Sequence, residues 1–169
     1  MGMKIEKGTT SENIRIKRDV VYGHKCGMGL TLDVLQPQVK NRAAILFFNS
    51  GGFYSPIFVR QYDNVAGSRW MLYQATQGDK IVDLGLELSF SQLLSNGYTV
   101  FDIRHGSSPR FTLDEIVKDS RLAVRFIKEN AREYDIDPDR IGAWGMSAGG
   151  YLAAFVGTSS HGKRKTKQI

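Results

Sequence analysis

Residues 43–48, AAILFF, are apolar without a break. A strand with one face in water alternates apolar and polar residues. A continuous run fits a strand covered on both faces, as in the interior of a parallel sheet. Two further short runs, YTVFDI at 98–103 and RIGAW at 140–144, follow it, with helical patterns around them. Parallel neighbours need a crossover, most often a helix, rather than a tight turn. The order strand, helix, strand, helix, strand, helix therefore predicts an α/β sheet with helices on both faces. Its ligand crevice is expected beyond the carboxyl ends of the strands.

Before the first apolar run, IRIKRDVVYG and GLTLDVLQP are joined by the glycine-rich GHKCGMG. Leu30, Leu32 and Val34 share one face, and Gln36-Pro37 stops the run, so an antiparallel edge hairpin is expected. Residues 54–82 carry Trp70 and Tyr73 but no clean period, and read as an excursion or partial lid. Helical spacing returns at Leu86, Phe90, Leu93 and Leu94 and stops at Asn96-Gly97. Thr112 and Glu115 form a capping box, in which each side chain satisfies a backbone N–H of the other. Leu113, Ile116, Val117, Ser120, Ala123, Val124, Ile127 and Ala131 then trace a single stripe. Pro138 forbids continuation, and Asp137 suits a turn. RIGAWG reads as a buried strand, and SAGGYLAAFVG as a helix closed by Gly157.

The chain has 169 residues, of which 41% are hydrophobic, as an ordinary globular domain requires. Residues 1–12 read as a flexible start, 13–158 as the domain, and 159–169 as a basic polar tail or connection. Nowhere is there a run of about 18 apolar residues, so no membrane association is expected. The start shows no signal peptide, which makes a cytoplasmic location the expectation. A lone cysteine, Cys26, excludes an internal disulfide and a multi-cysteine zinc site. No metal and no cofactor are expected.

The net charge is +6, but Lys163, Arg164, Lys165 and Lys167 carry four of those charges, leaving +2 for the rest. The basic signal is thus one terminal stretch, read as solvated, and no nucleic-acid partner is expected. GTSSHGKR at 157–164 imitates a phosphate loop. It follows a helix instead of a strand, and it ends in Arg164 where a hydroxyl is needed.

Gly145-Met146-Ser147-Ala148-Gly149 is G-x-S-x-G, placed between a strand and a small-residue helix. Such a turn lifts the serine hydroxyl into the crevice, and side chains at the flanking glycines would collide with neighbouring elements. It also aims the first amides of the helix at the same spot, where they stabilise negative charge. Upstream, NSGGF at 49–53 lets backbone N–H groups approach a ligand with no Cβ in the way. Ser147 is therefore the expected nucleophile, and the expected oxyanion donors are Ala148 and Gly51 or Gly52.

Together ILFFNSGGF and DEIVKDSRLAVRFIKENAREYDIDPDRIGAWGMSAGGYLAA resemble α/β-hydrolases of the esterase/lipase group, close to acetyl-esterase and feruloyl-esterase-like enzymes and related to prolyl-oligopeptidase-type peptidases. The resemblance spans about residues 14–158 and implies a three-layer α/β/α fold, cut after the helix that follows the elbow. Asn49 and Ser50 stand where the family usually has histidine and the first of three glycines. Asn49 is expected to hold the loop by a hydrogen bond.

The family order is Ser, then Asp or Glu, then His. After Ser147 come 22 residues with no acid and one histidine, His161. The helix between carries His161 away from the crevice. His105 reads as a solvent-exposed loop residue, His24 as a hairpin residue, and Asp102 and Asp119 as structural, bonded to loop amides or to Arg104 and Arg121. A serine without a base is a poor nucleophile at neutral pH.

The expectation is a serine hydrolase of small-molecule carboxylic esters, here an inactive front part of a longer product. Its strand RIGAW would be an open edge, able to self-associate. A prolyl-oligopeptidase-type peptidase and a non-catalytic hydrolase-fold binding module are the alternatives.

Overall fold

A computed structural model of the chain describes residues 14–49, 51–55 and 90–158. Five strands form one sheet: β1 (Ile14–Lys25), β2 (Met28–Pro37), β3 (Ala44–Phe48), β4 (Thr99–Ile103) and β5 (Ile141–Gly145), in the order β1-β2-β4-β3-β5. The first two are antiparallel to each other, and β2 is antiparallel to β4; β4, β3 and β5 run parallel. Helix α1 (Ser91–Ser95) lies between β3 and β4 in sequence, α2 (Leu113–Glu129) between β4 and β5, and α3 (Ala148–Thr158) follows β5.

Strand alternation sorts the side chains onto two faces. Leu32, Val34, Leu46, Phe48, Phe101 and Ile103 point one way and pack with Ile116, Ala123 and Ile127 of α2 and Leu152 of α3. Leu35, Phe47 and Val100 point the other way and pack with Phe90 and Leu94. The run AAILFF is apolar throughout because each of these faces meets a helix. Three layers result, α/β/α, which is the α/β-hydrolase arrangement expected.

The capping box at Thr112 and Glu115 is present, with both reciprocal bonds formed. Asn96-Gly97 ends α1: Gly97 has φ of 83°, and a Cβ there would lie 2.9 Å from the Asn41 nitrogen. The Asp137 turn also forms, its carboxylate accepting from the Asp139 N–H at 3.0 Å.

The hairpin is tighter than the glycine-rich loop suggested. Its strands run on to Lys25 and Met28, leaving only Cys26 and Gly27 between them, at φ of 47° and 77°. Two successive left-handed residues make the turn whose twist matches a hairpin. In α2, Leu113 is 40% exposed and lies off the core. Helix α3 continues through Gly157, so that glycine does not close it.

Strand β5 is less buried than its composition suggests, and among the described residues it is the open edge expected. Gly142 and Ala143 are exposed, because among the described residues nothing pairs with the side of β5 away from β3. The N-terminal 1–12, Leu86, His161, the 159–169 tail and the excursion from residue 56 onward lie outside the described residues.

Polar residues inside the strands lock the sheet. Asp33 and Arg104, both buried, form a 2.7 Å ion pair, and the Arg104 Nε donates to Thr31 Oγ1 at 3.0 Å. Asp19, Tyr22 and Thr31 also bond to Arg104, which joins β1, β2 and the end of β4.

Candidate active site

Strands β3 and β5 are parallel neighbours in register, Phe48 beside Gly145, so the chain leaves both at the same end of the sheet. From β3 the chain proceeds to β4 on one side, and later places β5 on the other. An open α/β sheet forms its crevice at such a reversal.

At the end of β5 the chain turns within Met146 and Ser147 and enters α3 at Ala148. Ser147 is exposed and left-handed, with φ of 51°, a conformation that costs a side chain about 1–3 kcal/mol. The carbonyl of Ser147 accepts the Tyr151 N–H at 3.0 Å and closes the first helical turn. Sterics explain both flanking glycines. A Cβ on Gly145 would lie 2.5 Å from the carbonyl carbon and oxygen of Gly149. A Cβ on Gly149 would strike the Phe48 carbonyl oxygen and sit 3.0 Å from that of Asn49. Helix α3 is therefore seated backbone to backbone on the end of β3, beside the segment that carries Gly51 and Gly52.

In that segment Gly51, Gly52 and Phe53 are successively left-handed, at φ of 111°, 64° and 64°. Glycine adopts such angles freely; Phe53 does not. Its ring meets Tyr151 of α3 edge-on, with centroids 5.8 Å apart. Phe53, which follows the glycine pair, thus packs on the helix that begins at the elbow. At the base of the loop Asn49 is buried, and its amide donates to Asp102 Oδ1 at 2.7 Å and to the Ile103 carbonyl at 3.0 Å.

Asp102 is structural, as expected, but its partner is Asn49. Asp119 accepts from the Gly106 amide and from Lys25, both at 3.0 Å, and Arg104 pairs with Asp33 rather than with either.

His105 is buried, 4% exposed, contrary to the expectation of a solvent-exposed residue. It lies two residues past the end of β4, and its backbone N–H donates to the Ser55 hydroxyl at 3.2 Å. Its Nδ1 lies 2.7 Å from the Gly106 carbonyl, which only accepts, so the neutral ring carries its proton there. Nε2 has no hydrogen-bond partner among the described residues. Burial pushes the ring's pKa below 6.5, against the opposing pull of the Gly106 and Asn49 carbonyls. His24 is exposed on β1. Among the described residues Ser147 has no histidine bonded to its hydroxyl, and no cluster of metal-ligating residues is present. No helix of the described residues is long and apolar enough to cross a membrane.

Residues 63–169 match the family model BD-FAE. The chain belongs to the BD-FAE family. Among curated relatives of this BD-FAE chain, Esterase LipQ of Mycobacterium tuberculosis is 34% identical over 71 residues, 42% of this chain and 17% of that protein. An arylesterase of Saccharolobus solfataricus is 32% identical over 90 residues, 52% of this chain and 26% of that one. Among solved structures, a truncated carbohydrate esterase from gut microbiota superimposes with a TM-score of 0.60 at 24% identity, covering 89% of this chain and 46% of the other. The carboxylesterase EstE1 gives 0.57 at 22% identity, covering 86% and 40%. These structures share the α/β-hydrolase fold with the BD-FAE chain, which spans less than half the length of each of these relatives.

No sequence signal marks Ser55 and Ser107, whose N–H and hydroxyl meet at 3.0 Å. Nothing in a lone serine marks a partner 52 residues away. The acids within β2 and β4 were visible signals, since a carboxylate in an otherwise apolar strand must find a donor.

Proposed function

We propose that this BD-FAE chain supplies the nucleophile and the oxyanion donors of a carboxylic ester hydrolase. The observation that carries the reading is the left-handed, exposed Ser147 at the tip of β5, flanked by glycines at which a Cβ would collide with backbone. Support also comes from the relatives, which bear esterase names.

In the proposed reaction the Ser147 hydroxyl oxygen adds to the ester carbonyl carbon while a base takes its proton. The carbonyl oxygen becomes an oxyanion, held by the Ala148 amide and by that of Gly51 or Gly52. One such donor is worth about 10²–10³ in rate. Collapse breaks the bond to the alcohol, which leaves with the proton. Water then adds to the acyl-serine and releases the acid, restoring the hydroxyl.

The base and its orienting acid come from outside the described residues. The described residues by themselves therefore give at most weak catalysis, because an unactivated serine is a poor nucleophile.

The test is hydrolysis of short p-nitrophenyl esters, with fluorophosphonate labelling, by the longest natural gene product that contains this sequence. Ser147→Ala is expected to abolish both. A variant that keeps the wild-type rate overturns the assignment. Labelling without ester hydrolysis directs the reading to a peptidase, and no labelling in the wild type directs it to a binding module.

A further inference from the structure

A left-handed run of three residues ending in phenylalanine does not hold its shape unaided. Strained backbone persists only where the surroundings over-determine it. What does so here is the segment after β4. The Ser108 N–H donates to the Phe53 carbonyl at 3.0 Å. The Ser55 N–H donates to Ser107 Oγ at 3.0 Å, and the Ser55 hydroxyl accepts the His105 N–H at 3.2 Å. The two segments thus exchange bonds in both directions, the bond at Phe53 falling one residue after the glycine pair. On the opposite side the Phe53 ring rests on Tyr151 of the elbow helix.

We propose that Ser55 and Ser107 are positioning residues: a reciprocal latch that fixes Gly51 and Gly52 at the distance from Ser147 at which their amides meet the oxyanion. The inference rests on the ester hydrolase reading. Neither hydroxyl touches substrate. Each acts through the loop, by satisfying a backbone amide or by orienting the carbon chain that carries one. Removing Ser107 Oγ strands the Ser55 amide, and removing Ser55 Oγ strands that of His105. In either case the loop can relax from its left-handed geometry and its donors move off the oxyanion. Because the oxyanion exists only after attack, such a shift lowers turnover and spares ground-state binding.

The experiment compares Ser55→Ala, Ser107→Ala, Ser55→Thr and Ser147→Ala in the longest natural gene product containing this sequence, with p-nitrophenyl butyrate as substrate. Both alanine variants are expected to lose about tenfold or more in kcat, since a displacement near one ångström can cost up to about a hundredfold. KM should move by less than about twofold. Ser55→Thr keeps the hydroxyl and should restore kcat, and inactivation by a phosphonate should slow in step with kcat. If Ser55→Ala does not fold, Ser107→Ala removes the other half of the latch and is read by the same criteria. Full kcat in the alanine variants alongside a dead Ser147→Ala overturns the latch and leaves the hydrolase reading intact. Losses that track melting temperature, with no recovery in Ser55→Thr, make the serines merely structural and also overturn it. An active Ser147→Ala removes the hydrolase reading itself.

Discussion

Gly145→Ala tests the packing on which the site depends. A Cβ at position 145 would lie 2.5 Å from both the carbonyl carbon and the oxygen of Gly149, where ordinary contact begins near 3.4 Å. The first turn of α3 and the end of β5 must then part by about 0.9 Å, and neither partner is a flexible side chain. Gly149 cannot retreat toward the sheet, because it already abuts the Phe48 and Asn49 carbonyls. Overpacking costs about 1–3 kcal/mol where side chains can yield, so backbone against backbone belongs at about 3 kcal/mol. For a domain of this size that is a fall in Tm of about 6–12 °C. The assay is urea unfolding followed by tryptophan fluorescence, with Trp144 next to the substitution and its ring tilted against that of Phe47, centroids 5.0 Å apart. Gly157→Ala is the control: its Cβ would meet nothing within 4 Å, and it gains helix propensity of about 1 kcal/mol. If Gly145→Ala unfolds at the same urea concentration as Gly157→Ala, with equal slopes, the steric account of the elbow is wrong.

Arg104→Ala should destabilise by about 3–5 kcal/mol, because it leaves the fully buried Asp33 carboxylate without its guanidinium, and thermal melting would register the loss. The buried His105 makes stability depend on pH. Its folded pKa lies below 6.5, so above both values the ring is neutral in either state and no proton is linked to unfolding. As pH falls through 6.5 the unfolded chain takes up a proton that the folded chain refuses, and stability declines until the folded ring protonates as well. His105→Gln should remove that component. Between about pH 7.5 and about pH 5.5 the urea midpoint of the wild type should drop further than that of the variant, and equal drops would refute the linkage.

The layers of the fold were legible because they are written in short-range patterns. A continuous apolar run at 43–48 can serve only where both faces are covered, and the Thr112–Glu115 box fixes a helix start within four residues. The elbow was legible in part for a related reason: a Cβ on Gly145 would strike Gly149 four residues on, a local constraint, whereas Gly149 is held small by the Phe48 and Asn49 carbonyls, which only the tertiary structure brings there. The hairpin, by contrast, was read with too long a loop, since glycines permit left-handed turns but do not say which residues make them.

What tertiary structure alone decided are the partners. His105 follows a strand as an exposed loop residue would, yet it is buried, with its N–H on Ser55 and its ring beside the Gly106 and Asn49 carbonyls. Asp33 faces Asp102 across β2 and β4, and the two acids go to different donors, Arg104 and Asn49. Burial and pairing are properties of neighbours dozens of residues distant, and periodicity records only that a face must be covered, not what covers it.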